Sequence, residues 1–535
     1  LATLRIVQLP DPDENDDATS HNREGDGAIL GAEMCRQLAT FRPHVVGFRL
    51  MAGYLPALVR AVAAVRRRSD AEIVVGGPTA TSHPAEVLQA VGCDYVFAGE
   101  AEETFARFLE LARRPFSRDL APEIPGLAYR YGGRVYHNTL PRDGYGRSSL
   151  DVPAANDRSA VVGDDAPNLS RACLRNVLRP IASRETVQRN RLDFGLLVGF
   201  RRPFDSLFFT GGRGCPGKCA FCANLHGREV RAKTAEQLLD EIAAADRAVQ
   251  EGRLRLERHR LFEFCPGSSR QHDQVAWAAI YDEDFFLARR RAVRFFELWA
   301  ESDLATRYRV SVQTNPCSLL DARGRVDSTL RRIIAELHPM IQLGAESFHP
   351  DMLARWQKRH TASQLETVLD ALETCGCDYT IFHLATDFES TADEVLDALY
   401  LLVRAARRYR NMRIASNPFT LPLYDSATRR RLEFRNDWDP ARVRSFNDYE
   451  REHPEWMDPL AAGLAEATSA DLHWALYPPH RNNALAEACT AACAYLLDVA
   501  AAGGRLGRKA KALLPQAEWL VDRASELRFG GIAFG

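Results

Sequence analysis

Three cysteines, Cys215, Cys219 and Cys222, are the residues whose type and spacing most directly indicate chemistry. They lie in the run Gly-Gly-Arg-Gly-Cys-Pro-Gly-Lys-Cys-Ala-Phe-Cys, residues 211–222. Three thiolates at this spacing can hold a cubane iron–sulfur cluster and leave its fourth iron without a cysteine ligand. An iron that is open to an outside ligand is what a cluster needs if it does chemistry rather than only carry electrons.

Two other interpretations of these cysteines stay open. A zinc site usually takes a fourth Cys or His at a matching spacing, and His226 follows Cys222 by four residues. Purely structural thiols would be scattered, whereas these three fall within eight residues and are flanked by glycines. We therefore favour the cluster over both alternatives.

The elements before the cysteines predict a doubly wound, Rossmann-like α/β domain. Predicted strands alternate with helices of ordinary length, which is the pattern of parallel pairing. The predicted strands are residues 4–9, 45–50, 72–77 and 95–98, and the helices are 33–40, 56–68, 84–91 and 102–112. Residues 127–136 predict a small hairpin that turns at Gly132 and Gly133.

A second strand–helix series predicts a partial (β/α)6 barrel with the cysteines after its first strand. Its predicted strands are 206–210, 261–264, 309–314, 340–344, 379–385 and 412–416. The last part of the chain is mainly helical in pattern. We predict four regions: 1–120 doubly wound domain, 121–200 linker with the hairpin, 201–435 barrel, and 436–535 helical region that shapes a substrate pocket.

Composition narrows the class of protein. The chain has 535 residues, 46% of them apolar and 26% charged, which is typical of a soluble protein of several domains. A net charge of −2 argues against nucleic acid or an anionic membrane as a partner. We expect no membrane span and no secretory signal, since the first ten residues predict a strand. Twelve mostly scattered cysteines favour a reducing cytoplasm.

These motifs resemble the radical S-adenosylmethionine superfamily, in the class with an N-terminal cobalamin-binding domain. The resemblance covers roughly residues 1–430. Besides the cysteines, the segments 344–347 (Gly-Ala-Glu-Ser), 358–361 and 417–426 resemble the family's later barrel strands. It implies a 4Fe-4S cluster, cobalamin and S-adenosylmethionine as cofactors, and Cys215, Cys219 and Cys222 as the cluster ligands.

Two glycine-containing turns resemble the family's cobalamin contacts. The first lies in residues 74–84 and the second in residues 98–104. Glycines after strands permit a positive φ and a close approach of the backbone to a flat ligand, although a plain turn and a plain helix cap are the alternatives. The predicted cofactor contacts are Gly76, Gly77 and Thr79 in the first turn, and Gly99, Glu100 and Thr104 in the second.

One feature of many cobalamin domains is missing from the sequence. The run Asp-x-His-x-x-Gly, whose His ligates cobalt from below, does not occur. Arg49, at the end of the second predicted strand, is our candidate for the lower face, with Leu50, Met51, Tyr54 and Arg60 as the alternatives. A cationic or apolar group there would disfavour axial donation and labilise a methyl group on cobalt.

Polar groups at the barrel mouth are the remaining candidates. Glu263, in the second predicted strand, is expected to contact the methionine amine or to ligate the fourth iron, with a buried ion pair as the alternative. Glu346 is expected to bind ribose or a substrate amine, or to serve as a structural anchor. Gln313 and Asn315, with Thr314 between them, are suited to hydrogen bonds with S-adenosylmethionine or substrate.

The resemblance implies methyl transfer from S-adenosylmethionine through methylcobalamin to a carbon of a small molecule or short peptide in secondary metabolism. C2 of the tryptophan indole is one candidate acceptor, and an external reductant is a possible partner. The alternative is a cobalamin-dependent radical enzyme that cyclises, rearranges or oxidises its substrate. A sensor or assembly protein without catalysis is a third interpretation.

Overall fold

The computed structural model of the chain contains two six-stranded sheets, two short two-stranded sheets and a C-terminal group of helices. It describes residues 6–7, 26–51, 54–112, 124–131, 134–138, 161–162, 182–191, 193, 196–198, 204, 206–222, 224–256, 276–417, 457–469 and 478–529.

The strands are numbered in chain order: β1 Ile6–Val7, β2 Val45–Arg49, β3 Glu72–Gly76, β4 Tyr95–Phe97, β5 Leu127–Tyr131, β6 Arg134–His137, β7 Val161–Val162, β8 Leu197–Val198, β9 Ser206–Phe209, β10 Gly212–Arg213, β11 Arg231–Ala232, β12 Ala276–Ile280, β13 Tyr308–Thr314, β14 Met340–Glu346, β15 Tyr379–Leu384 and β16 Met412–Asn417. The helices are α1 Asp26–Thr40, α2 Leu55–Arg66, α3 Pro78–Ser82, α4 Pro84–Val91, α5 Glu102–Ala112, α6 Arg184–Arg189, α7 Ala235–Gln250, α8 Arg289–Glu301, α9 Leu304–Arg307, α10 Ser328–Leu337, α11 Pro350–Arg355, α12 Ala362–Thr374, α13 Ala392–Arg408, α14 Pro459–Ser469, α15 Pro478–Ala502 and α16 Gly504–Phe529.

The N-terminal sheet has the order β2-β3-β4-β5-β6-β7, and its first three strands are parallel. Successive strand residues point to opposite faces. Ile73 and Val75 of β3 therefore pack with α2 and α4, whereas Val74 packs with α5 on the other face. Helices on both faces confirm the predicted doubly wound α/β fold.

Two predictions for this region change in the structure. The predicted first strand, 4–9, is represented by β1, which pairs with β8 in a separate two-stranded sheet. The predicted hairpin is present, with Tyr131 opposite Arg134, but it extends the N-terminal sheet because β5 pairs with β4.

The second sheet is parallel throughout, in the order β9-β12-β13-β14-β15-β16, as a partial (β/α)6 barrel requires. Its second strand is β12, Ala276–Ile280, and not the predicted 261–264, which lies outside the described residues. Three of the five residues in Ala-Trp-Ala-Ala-Ile are alanine, which is depleted in strands, so burial contributes to this strand beyond local preference.

Three of the barrel helices begin with capping boxes. Thr234, Thr361 and Thr391 accept from the backbone N–H three residues on, and the side chain at that position bonds back. Such reciprocal bonds satisfy two helix-end donors and fix where α7, α12 and α13 start.

The C-terminal helices pack on the barrel through α13. Arg481 of α15 is buried and donates to the carbonyl oxygens of Ala406, Tyr409 and Met412, where α13 ends and β16 begins. Although the sequence predicted no membrane span, residues 481–502 meet the length and composition of one, a test that core helices of soluble proteins also pass.

Candidate active site

The cysteines lie in a loop that is closed at its base. The short strands β10 and β11 pair in antiparallel fashion and enclose residues 214–230. Gly214 has φ +93°, and a Cβ there would lie 2.0 Å from the carbonyl oxygen of Glu229. The loop can fold back this tightly only with glycine at that position.

Backbone N–H groups point at the cysteine sulfurs. The N–H of Gly217 donates to Cys215 Sγ at 3.4 Å, and that of Asn224 donates to Cys222 Sγ at 3.3 Å. A Cβ at Gly217 would lie 3.2 Å from Cys215 Sγ and 3.9 Å from Cys219 Sγ, so the glycine leaves room between two sulfurs. Hydrogen bonds to sulfur and close thiols are the features of an iron–sulfur site, and the residues fit a cluster.

Burial of these thiols disfavours their charged thiolate form. Burial raises the pKa of Cys215 and of Cys222 above the ordinary value of a thiol. Metal ions bind the thiolate, so cluster binding would release these protons and would itself stabilise the loop. Among the described residues, no group of three His, Cys, Asp or Glu side chains is placed to hold a single metal ion.

Lys358 and Glu346 form a buried ion pair beside the cysteine loop. Lys358 Nζ lies 3.1 Å from Glu346 Oε1 and 5.7 Å from the ring centroid of Phe221. Burial would lower the pKa of Lys358, but Glu346 and the Cys219 and Cys222 sulfurs together raise it, so the amine stays charged. Glu346 holds φ +63°, a strained conformation for glutamate that often marks a functional site.

Three consecutive carboxylates follow β12, and the first two hold the base of the loop. Asp282 accepts from the N–H groups of Gly211 and Gly212 at 2.7 and 2.6 Å. Glu283 accepts from the N–H of Gly214 at 3.1 Å, and burial raises its pKa. Unlike Asp282, the Glu283 side chain is partly exposed and can face a ligand.

The third carboxylate, Asp284, braces the next strand end. It accepts from Thr314 Oγ1 at 2.6 Å and from Ser318 Oγ at 2.7 Å, and Arg359 Nη1 lies 3.4 Å away. Burial raises its pKa. Sequence reasoning missed residues 282–284, although three carboxylates directly after the apolar run 275–281 were a usable signal.

The other predicted mouth residues occupy different positions. Gln313 is half-buried on the sheet face opposite Val312, whereas Asn315 caps the short helix Pro316–Leu319 by accepting from the N–H of Cys317 at 3.1 Å. Glu263 lies outside the described residues, and the position after the second strand belongs to residues 282–284.

The predicted cobalamin turns lie side by side in the N-terminal sheet. The N–H of Gly99, at φ +85°, donates to Thr81 Oγ1 at 3.0 Å and ties the second turn to the first. Gly77 has φ +108°, and a Cβ there would lie 2.7 Å from the carbonyl oxygen of Leu50. The structure thus brings together the two turns that the sequence predicted.

Unpartnered polar atoms at the first turn fit a bound ligand. In the described part of the chain, Thr79 Oγ1 and Ser82 Oγ are buried without a hydrogen-bond partner. At Gly76, an added Cβ would make only an ordinary contact, 3.9 Å from the carbonyl oxygen of Phe97. Buried hydroxyls normally find partners, so a polar ligand such as the cobalamin nucleotide suits this turn.

Three further predicted contacts have other surroundings. Arg49 is exposed at the end of β2, and Met51 and Tyr54 beyond it are also exposed. Thr104 is buried, with its hydroxyl 3.4 Å from the carbonyl oxygen of Ala101. Glu100 is buried and joins the N-terminal sheet to the cysteine loop through Arg231, so its cofactor contact stays a prediction.

His226, the alternative zinc ligand, has both ring nitrogens directed at carboxylates. Its Nδ1 bonds Glu100 Oε1 at 2.7 Å, and its Nε2 lies 3.9 Å from Glu283 Oε1. Burial would raise the pKa of Glu100, but the bonds from His226 and Arg231 lower it to about 2.

Comparisons with known proteins agree with this geometry. Residues 17–109 match the B12 binding domain family. No curated protein matches the sequence. The fold is similar to OxsB, a cobalamin-dependent S-adenosylmethionine radical enzyme. Its structure with aqua-cobalamin and S-adenosylmethionine gives a TM-score of 0.58 at 14% identity, over 95% of this chain and 73% of that chain. The apo structure gives 0.60 at 13%, over 96% and 75%.

A weaker likeness is to the radical S-adenosylmethionine methyltransferase TsrM from Kitasatospora setae, with cobalamin and a 4Fe-4S cluster bound. It has a TM-score of 0.48 at 14% identity over 73% of this chain, and the match spans 65% of the TsrM chain. At these identities the structural likeness concerns the fold. The chain therefore joins a B12-binding domain, matched at residues 17–109, to a partial barrel in the arrangement seen in the OxsB fold.

Proposed function

We propose that the chain is a cobalamin- and 4Fe-4S-dependent methyltransferase that moves a methyl group from S-adenosylmethionine to a carbon of a small molecule. The observation that carries this proposal is the three-cysteine loop, held against the B12-binding domain by buried hydrogen bonds between Glu100 and Arg231. Cobalamin, when bound, supplies a cobalt centre that can accept and release a methyl group.

The chain's own residues would bind and orient the reactants. Cys215, Cys219 and Cys222 would hold the cluster, and the turn at Gly76 and Gly77 would take the cobalamin edge. Glu283 is suited to the methionine amine of S-adenosylmethionine, because a partly exposed carboxylate beside the loop can pair with an ammonium group. The charged Lys358 would offset negative charge on the cluster loop.

A cobalamin-dependent radical enzyme that transfers no methyl group is the second candidate. The similarity to the OxsB fold over 95% of the chain favours it, since OxsB is described as a radical enzyme.

For the methyltransferase candidate, tryptophan is the first methyl acceptor to test, as the sequence resemblance implies.

Methyl-deuterated S-adenosylmethionine separates the candidates. Anaerobic holoenzyme is incubated with the labelled compound, tryptophan and a reductant, and products are analysed by mass. Methyl transfer puts the label on the acceptor or on the corrin and yields S-adenosylhomocysteine. Unlabelled product with 5′-deoxyadenosine would support the radical alternative. Loss of all turnover in Cys219→Ala, with Cys375→Ala unchanged, would assign the chemistry to the loop.

A further inference from the structure

The base of the cysteine loop carries two arginines side by side. Strands β10 and β11 pair with Arg213 opposite Arg231, so the two side chains are cross-strand neighbours. Residues 214–230, which include all three cysteines, leave and return through this pair of strands. We call Arg213, Arg231 and their strands the loop base.

The loop base faces carboxylates on the B12-binding domain. Arg231 makes two parallel bonds to Glu100, at 2.7 Å from Nη1 and 2.9 Å from Nη2. Arg213 Nη2 lies 2.6 Å from Glu102 Oε1, and its Nη1 lies 3.4 Å from Glu100 Oε2. Glu102 begins α5, where the helix end also favours negative charge.

The segment that enters the barrel passes through the same contact. The N–H of Ala182 donates to Glu100 Oε2 at 2.7 Å, and its carbonyl oxygen accepts from Arg231. The N–H of Ser183 donates to Glu103 at 2.9 Å. Three parts of the chain therefore meet at one buried carboxylate.

This contact is suited to fixing position. The side chains of Glu100 and Arg231 are 3% and 4% exposed, so water competes little for their hydrogen bonds. A forked guanidinium that bonds both carboxylate oxygens allows one relative orientation. Buried charge pairs add little net stability compared with apolar packing, but they penalise every other arrangement.

We propose that Arg213 and Arg231 are positioning residues that fix the distance and orientation of the cluster relative to cobalamin. The inference rests on the proposed function for the presence of both cofactors. The three cysteines travel with the loop base, whereas the cobalamin turn at Gly99 is adjacent to Glu100 in sequence. A shift of the loop base against Glu100 would move one cofactor against the other.

Pulsed electron paramagnetic resonance on the full-length holoenzyme tests this directly. The distance between cob(II)alamin and the reduced cluster is measured in wild type, Arg213→Met, Arg213→Lys and a control, Arg332→Met. Arg332 pairs with Glu336 on the exposed surface of α10. Corrin content, iron content and thermal unfolding are recorded for each protein.

We expect one narrow distance in wild type and in Arg332→Met, and a broader or displaced distribution in Arg213→Met with both cofactors retained. Arg213→Lys keeps the positive charge and should restore a narrower distance distribution. Turnover in Arg213→Met should fall about 100-fold in kcat with little change in KM, since small misplacements are costly. An unchanged distance would overturn the inference, and so would loss of folding in Arg213→Met. Wild type without corrin or iron would instead defeat the proposed function.

Discussion

Burial and charge oppose each other at Lys358. Its amine is buried with Glu346 as its ion-pair partner and lies close to the sulfurs of two cysteines. A buried charge is retained only where nearby charges compensate for its desolvation. We therefore infer that the Lys358–Glu346 ion pair contributes to the electrostatic potential at the cluster loop.

Replacing Lys358 and replacing Glu346 should shift the cluster's reduction potential in opposite directions. A nearby positive charge stabilises the more negative, reduced cluster, so Lys358→Met should lower the potential by about 60 mV, a tenfold change for one electron. Glu346→Gln should raise it. Lys358→Arg, which keeps the charge, is the control. Spectroelectrochemical titration measures the potential, and equal values in all four proteins would refute the assignment.

Glu283 and Glu263 are competing candidates for contact with the methionine amine of S-adenosylmethionine. The sequence favoured Glu263, whereas the structure puts Glu283 three residues after the end of the second barrel strand. We expect Glu283→Gln to weaken S-adenosylmethionine binding by about tenfold, which is the value of one charge-assisted hydrogen bond. Glu263→Gln is the matched comparison. Equilibrium binding decides, and the opposite ranking of the two variants would restore Glu263.

At the scale of an element, the cysteine loop depends on one tight reversal at Gly214. We expect Gly214→Ala to prevent most cluster incorporation, because a Cβ would lie 2.0 Å from a backbone oxygen of Glu229. Gly252→Ala is the control, since Gly252 also has a positive φ, +70°, but nothing within 4 Å of an added Cβ.

Iron content after anaerobic reconstitution measures the effect on the loop. Full iron in Gly214→Ala would show that the reversal is not needed. A loss that also occurs in Gly252→Ala would assign the effect to backbone conformation in general and not to the loop.

The second barrel strand is the element for which the local sequence pattern predicted the wrong residues. Residues 261–264, Leu-Phe-Glu-Phe, have the higher β propensity, whereas Ala276–Ile280 contains three alanines. Ala278 pairs with Leu207 on one side and Val310 on the other. That environment exists only in the assembled barrel, where small side chains fit between neighbouring strands.

For the whole molecule, two buried histidines predict acid sensitivity. Burial lowers the pKa of His383 to about 4, and burial together with Lys358 lowers that of His360 to about 3. Both stay neutral in the folded protein. Below about pH 6.5 both imidazoles become protonated in the unfolded chain while they are still neutral in the folded protein. The free energy of unfolding therefore falls by up to about 1.4 kcal/mol per pH unit for each imidazole.

Urea unfolding at pH 7 and pH 5 measures this loss. His383→Asn should lose less stability between the two pH values than wild type, and replacement of the exposed His44 by Asn should behave as wild type does. Equal losses in wild type and His383→Asn would contradict the role of His383.

The sequence predicted the local motifs well and the long-range contacts poorly. The cysteine spacing, the two glycine turns and the parallel strand–helix order are local patterns, and the structure contains each of them. The bonding of Glu100 to Arg231 joins residues 131 positions apart and leaves no local trace. The carboxylates at 282–284 did leave a local signal, three acidic residues after an apolar run, but their bonds to the base of the cysteine loop form only when β12 lies beside β9.

The cofactor content of anaerobically purified full-length protein tests whether the three cysteines hold a cluster and the N-terminal domain holds a corrin. We expect about four irons with matching sulfide, and one corrin, per chain. Joint replacement of Cys215, Cys219 and Cys222 by Ala should remove the iron and leave the corrin. Zinc in place of iron, or wild-type protein that retains neither iron nor corrin, would contradict the account.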